Sequence, residues 1–226
     1  MANEGRYCKS QERRRVPHRL HCARNFPALA MSPLSVSDLA VSRGDRTVFS
    51  GLSFRVEPGE ILHVQGRNGA GKTTLLETLG GLRVQIAGTI AGGPGASERH
   101  WLGHRSALNA ALTPLENLRF WCALNGAGDS ELLPALDQLG VKAQRNRLCG
   151  TLSTGQRRRV ALSRLLAVKR PWWFLDEPLA GIDAAGLQLI TQLLAAHAGE
   201  GGTAVVTSHQ ALPDSLPRLR ALALDA

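Results

Sequence analysis

One octapeptide constrains this chain more than any other stretch. Gly66-Arg67-Asn68-Gly69-Ala70-Gly71-Lys72-Thr73 fits G-x-x-x-x-G-K-[ST]. It follows an apolar run, Ile61-Leu62-His63-Val64-Gln65, that reads as a buried strand. A stretch of helical spacing comes after it (Leu75, Leu76, Leu79, Leu82 over 73–82), closed by Gly80-Gly81. A strand, a glycine loop and a helix in that order place backbone N–H groups around the β- and γ-phosphates of a nucleotide. Lys72 adds a point charge to them, and the Thr73 hydroxyl is a ligand for Mg²⁺.

The surrounding pattern makes that unit part of an α/β domain. From Leu34 to Val56 apolar and polar residues alternate in short runs broken by Arg43-Gly44-Asp45, as antiparallel strands joined by a turn would. Helices are expected after Pro114 and over Ser130 to Leu139, behind a loop at Gly92-Gly93-Pro94-Gly95, so the middle of the chain reads as a small helical lobe at about 104–168. Helix and strand then alternate: helix Thr154 to Val168, strand Trp172 to Leu175, helix Ala184 to Ala196, strand Ala204 to Thr207. Helix and strand alternating at these lengths predict a mostly parallel sheet covered on both faces. A chain of 226 residues has room for one such domain or two small lobes sharing one site, and no window approaches the ~18 apolar residues of a membrane span.

Charge does not single out nucleic acid: outside the first thirty residues the excess is modest and suits a nucleotide or an anionic lipid surface as well as DNA. Of the net +9, a surplus of +5 falls in residues 1–30, which hold Arg6, Lys9, Arg13, Arg14, Arg15, Arg19 and Arg24 against Glu4 and Glu12; the other 196 residues carry +4. The arginine-rich opening lacks periodicity and reads as a disordered basic tail, followed by patterned sequence from Met31 onward. It is either an organelle-targeting segment or a stretch upstream of a misplaced start; Glu4, Glu12, Cys8 and Cys22 suit a transit peptide badly and favour the second. Cys8, Cys22, Cys122 and Cys149 have neither zinc-site nor disulfide-framework spacing.

Four further motifs narrow the function. Leu152-Ser153-Thr154-Gly155-Gln156 sets a hydroxyl and a glycine at a helix N-terminus, either an anion grip or an ordinary cap. Trp172-Trp173-Phe174-Leu175-Asp176-Glu177 ends an apolar strand in two carboxylates whose side chains diverge, so that Asp176 reaches the Mg²⁺ shell while Glu177 can polarise a water. Leu179-Ala180-Gly181-Ile182-Asp183 follows, and Thr207-Ser208-His209 ends another apolar strand. In this order the series resembles the ABC ATPases: P-loop, LSGGQ signature, Walker B with catalytic glutamate, D-loop and switch histidine, over 34 to about 210.

The resemblance implies a P-loop NTPase cassette across 31–226, with a mostly parallel sheet core, an N-terminal antiparallel β subdomain and a small helical lobe. It implies ATP and Mg²⁺ held by Gly66, Arg67, Asn68, Gly69, Ala70, Gly71, Lys72, Thr73 and Thr74, with Thr73 and Asp176 on the metal and Lys72, Glu177 and His209 catalytic. Ser153, Gly155, Gln156 and Asp183 would meet nucleotide across an ATP-sandwich homodimer. The wording of Thr47–Phe54, Trp101-Leu102-Gly103-His104, Leu112–Leu118, Arg157–Leu162 and His209-Gln210-Ala211-Leu212 is similar to the ATP-binding subunits of cytochrome c biogenesis haem exporters. That implies integral membrane permease partners, a place on the cytoplasmic face of the bacterial inner membrane and no nucleic-acid partner.

Three departures from the family pattern stand out. His104 or Arg105 occupies the region of the Q-loop glutamine. No aromatic residue precedes the strand at Thr47, where one would stack on adenine, and Arg43 is the nearest plane. Thr154 replaces a signature glycine, which suits only a backbone without positive φ. An exporter of another cargo, or a soluble nucleic-acid-associated ABC protein, are the competing functions; the second usually carries two cassettes or a coiled coil, and this chain has one cassette and no heptads.

Overall fold

Alternate residues of one strand divide the molecule into two cores. In the computed structural model, which describes residues 32–224, strand β6 (Trp172–Asp176) is buried along its whole length. Trp172 and Phe174 face one core, and Trp173 and Leu175 face the other, as the two-residue period of a strand requires. Each large side chain so buried contributes about 1.5–3 kcal/mol. The unbroken apolar runs in β3 (Ile61–Gln65), β6 and β7 (Thr203–Thr207) have the same cause, since a parallel strand with both faces covered has no solvent side.

These strands belong to a five-stranded parallel sheet of order β5-β6-β7-β3-β8, with β5 at Arg99–Leu102 and β8 at Leu219–Ala223. One face carries α1 (Lys72–Leu79) and a second, antiparallel sheet in which β1 (Leu34–Arg43) lies between β2 (Arg46–Val56) and β4 (Ala87–Gly92). In that sheet β1 and β2 pair from Leu34↔Val56 to Arg43↔Arg46, with register shifts between Val36 and Ser42, across a turn at Gly44-Asp45, as the broken alternation predicted. The other face carries α2 (Pro114–Leu124), α3 (Leu132–Gln138), α4 (Thr154–Ala167) and α5 (Ala184–Gly199). Among the described residues no helix is long and apolar enough to cross a membrane.

The structure corrects the sequence in three places. Helix α1 stops at Leu79 rather than 82, because the Gly80 N–H bonds back to Leu76 O and Gly81 turns left-handed at φ +67°; Leu82 is consequently 61% exposed. Strand β4 (Ala87–Gly92) fills a stretch for which no element was expected, just ahead of the loop at Gly92-Gly93-Pro94-Gly95, and pairs antiparallel with β1. The chain beyond His209, short as it is, adds β8 beside β3, and Leu224 N–H then reaches Gln65 O at 2.8 Å, next to the glycine loop. The basic tail and the start at Met31 fall outside the described residues.

Candidate active site

The loop from Gly66 to Gly71 is closed by its own lysine. Lys72 Nζ is buried and donates to Gly66 O at 2.8 Å and Arg67 O at 3.2 Å, holding the loop as a ring around the N-terminus of α1. Gly71 enters that helix at φ +97°, and a Cβ there would come within 2.4 Å of Val48 Cγ1, so neither conformation nor space admits another residue. The helix start has no side-chain cap. Its N–H groups and the Lys72 ammonium therefore present positive potential at one spot.

Opposite it, two adjacent carboxylates stand in different surroundings. Asp176 is 1% exposed; Thr73 Oγ1 lies 3.0 Å from each of its oxygens and Thr207 Oγ1 donates to Oδ1 at 2.8 Å. Glu177 turns the other way because its backbone is left-handed, φ +49°, a conformation costing about 1–3 kcal/mol in a non-glycine residue. Its N–H donates to Thr207 Oγ1 at 2.9 Å, and its Oε2 accepts from His209 N–H at 3.2 Å. Oε1 is buried and makes no hydrogen bond: His209 Nε2 is 3.1 Å away without hydrogen-bond geometry, and Lys72 Nζ is 3.9 Å away. A carboxylate oxygen with a free lone pair, flanked by two cationic or protonatable groups, is placed to take a proton from a water.

Between these groups lies a cleft of about 320 Å³. Asn68, Gly69, Gly71, Lys72, Thr73 and Thr74 line it, with Glu177 and His209 facing them. Two of the departures from the family pattern line it as well. Arg43 and Val48 both line it, and of the two candidates after β5 it is His104 that lines the cleft.

Ser153, Gly155, Gln156 and Asp183 do not line this cleft. Ser153 caps α4: its Oγ accepts from Gln156 N–H at 3.2 Å while Gln156 Oε1 accepts from Ser153 N–H at 3.0 Å, a reciprocal capping box worth about 1 kcal/mol. Asp183 caps α5 through Gly186 N–H at 2.9 Å. A Cβ on Gly155 would lie 2.9 Å from Gly181 O, so a side chain here would crowd the D-loop backbone. Thr154 is the first helical residue and is not among the residues of positive φ, which is why it can replace a glycine.

Two residues of the site were not singled out in advance. Thr207 joins Asp176 to Glu177 through one hydroxyl, and its signal was its place at the end of an apolar strand just before Ser208-His209. Arg158 was hidden in Arg157-Arg158-Arg159; its spacing to Ala161, Leu162 and Leu165 puts it on the buried face of α4. Burial pushes its guanidinium down to about 10, against the pull of the Asp176 and Glu177 carboxylates.

Relatives share the fold and much of the sequence. The ABC transporter family profile matches residues 49–180. The cytochrome c biogenesis ATP-binding export protein CcmA of Ruegeria pomeroyi is 43% identical over 78% of this chain and 84% of its own, and that of Vibrio parahaemolyticus 39% identical over 84% and 98%. Among solved structures, an ABC transporter ATP-binding protein from Pyrococcus furiosus superposes with a TM-score of 0.75 at 25% identity, covering 85% of this chain and 98% of its own. The chain therefore belongs to the ABC transporter family, in the group of the cytochrome c biogenesis ATP-binding export proteins.

Proposed function

We propose that this chain is the ATP-hydrolysing subunit of an exporter serving haem handling in c-type cytochrome maturation. It works as a pair of cassettes on the cytoplasmic face of the inner membrane, bound to permease subunits that hold the cargo. The observation that carries the catalytic half of this reading is Glu177 Oε1, buried and free of hydrogen bonds between Lys72 and His209, across the cleft from the glycine loop. The cargo half rests on the names of the relatives, cytochrome c biogenesis export proteins.

ATP enters with its phosphates on the 66–74 loop. Lys72 leaves the loop carbonyls it now bonds for phosphate oxygens, a stronger charge-assisted contact. The Thr73 hydroxyl and the Asp176 carboxylate, 3.0 Å apart, are hard oxygen donors of the kind Mg²⁺ takes when phosphates and waters complete its shell. Bound there, the ion would neutralise phosphate charge. Glu177 Oε1 accepts the proton of the attacking water, and His209, held by its N–H to Glu177 Oε2, sits where it can donate to the γ-phosphate. Products are ADP and inorganic phosphate.

The test has two parts. Purified full-length chain should hydrolyse Mg-ATP, with loss of turnover but not of binding in Glu177→Gln. A strain lacking the gene should fail to assemble c-type cytochromes and be restored by the wild type but not by Glu177→Gln. Normal cytochromes in that strain would reassign the cargo and leave the ATPase standing.

A further inference from the structure

Of the three consecutive arginines that follow the signature, the middle one is buried. Arg158 is 3% exposed, while Arg157 and Arg159 are partly open to solvent. Among the described residues it pairs with no carboxylate. Its guanidinium instead donates to four backbone carbonyls: Nη2 to Asp176 O at 2.6 Å, Nε to Pro178 O at 3.3 Å, and Nη1 to Gly103 O at 2.8 Å and His104 O at 3.4 Å. Sequestering a full charge is costly unless its hydrogen bonds are satisfied, and here backbone oxygens from two segments satisfy it.

Those oxygens are not a random set. Asp176 and Pro178 stand on either side of Glu177, the residue whose backbone is left-handed at φ +49°. Gly103 and His104 follow β5 and bring His104 into the cleft. A second arginine of the same helix, Arg164, holds the continuation of that segment through Ser106 O at 3.4 Å and Ala107 O at 2.8 Å, while its guanidinium stacks 4.9 Å from the Trp121 ring. The segment after β5, which has no glutamine, is thus fastened to α4 by arginines.

We propose that Arg158 is a positioning residue for ATP hydrolysis: it clamps Glu177 from both sides, holds His104 in the cleft, and makes the setting of the carboxylate depend on the setting of the signature helix. Arg158 lies in the second turn of α4, whose first turn is capped by Ser153 and carries Gly155. A phosphate pulling on that helix end shifts the clamp, and the clamp shifts Glu177. Only a planar fork with five N–H donors reaches carbonyls in two directions at once; a lysine ammonium reaches one group of them.

This inference rests on the ATPase reading, and the experiment separates the two. In full-length protein, Arg158→Lys should lower kcat for Mg-ATP ~10–100-fold, the scale of a misplaced catalytic group, while the Kd for Mg-ATP stays within ~3-fold. In a Glu177→Gln background the same change should lower the residual rate no further, because the group it positions has already lost its function. If Arg158→Lys is insoluble, Arg158→Gln, which removes the buried charge and keeps an amide donor, takes its place. An unchanged kcat, an equal fold-loss in both backgrounds, a parallel loss of nucleotide binding, or failure of both variants to fold would each overturn the proposal. A wild-type protein that does not hydrolyse ATP strikes the ATPase reading, whereas an active wild type with an unaffected Arg158→Lys strikes the clamp alone.

Discussion

The glycine loop with its facing carboxylates and the signature turn are both polar helix-start structures, yet they are finished to different degrees. In the first, the polar groups meet one another across the cleft: Lys72 near Glu177, the Thr73 hydroxyl on Asp176, the Thr207 hydroxyl between the carboxylates, the His209 N–H on Glu177. In the second, Ser153 and Gln156 bond each other, Asp183 bonds its own helix, and none of them lines the cleft. A site closed by its own chain needs only ligand, whereas a capped helix end outside the cleft takes part only in the paired arrangement proposed above, where a second chain brings the nucleotide to it.

Removing a group from the closed side should give the largest effects. Lys72→Ala deletes the buried ammonium that holds the loop and, in the proposed reaction, meets phosphate, and we expect turnover to fall by about 10³ or more, with weaker nucleotide binding. Glu177→Gln should leave binding near wild type and cost turnover about 10²–10³, because an amide cannot accept the proton. Steady-state hydrolysis and nucleotide-binding titrations on the same preparations check both. Turnover by Glu177→Gln equal to wild type would take Glu177 out of the role of base.

On the open side the expected loss is of assembly. Glu177→Gln protein should be mostly monomeric without nucleotide and shift towards dimer in Mg-ATP, read by sedimentation. Gly155→Asp should prevent the shift by setting bulk and charge beside a phosphate. Since a Cβ at 155 already crowds Gly181 O within the chain, Ser153→Glu at an exposed position gives the same charge without that conflict. If both double variants still dimerise as well as their parent, the signature does not act across an interface.

What the sequence revealed follows the same division. The closed half was legible because its chemistry is written in contiguous words at strand ends: five residues of the octapeptide (Asn68, Gly69, Gly71, Lys72 and Thr73) line one cleft with Glu177 and His209, and Asp176 is tied to it through Thr73 Oγ1, while Gly66, Arg67 and Ala70 stand outside the lining. Thr207 and Arg158 were not legible, since a threonine in an apolar strand and an arginine in a basic run look like propensity and solvated charge until tertiary contacts give them partners. Strand β8 was missed for a related reason: Leu219-Arg220-Ala221-Leu222-Ala223 is only half-buried and gains its place from pairing with β3. The comparison sharpens at Thr207. Thr207→Val keeps the shape but leaves Glu177 N–H without a partner and takes from Asp176 Oδ1 one of its two hydroxyl donors, so we expect about 1–3 kcal/mol less stability and roughly 10-fold lower turnover. Wild-type turnover in Thr207→Val would mean the carboxylates are set without it.

The smallest effect should come from acid, and it should fall on one side of the sheet. Three histidines are held neutral by burial, His63, His100 and His197, and all three lie on the face of α2–α5 rather than of α1. His100 bonds Val168 O at the end of α4 and is pushed down to about 4, with Arg170 and Arg164 adding repulsion; His197 stacks 3.6 Å from Trp173 and is pushed down to about 3, with His100 and Lys169 adding to the effect of burial. Lowered values mean that the unfolded chain binds more protons below 6.5, so this stability is complete above pH 6.5 and declines as pH falls towards 4 and then 3. Between pH 7 and 6 the loss is on the order of 1 kcal/mol for His100 and His197 together, a melting point lower by a few degrees, in a window where ordinary carboxylates stay ionised. Hydrogen exchange at the two pH values, corrected for intrinsic rates, should show α4 and α5 losing protection ahead of α1. Equal loss in α1 and α4, or none in either, would mean that the two faces of the sheet do not differ in this respect.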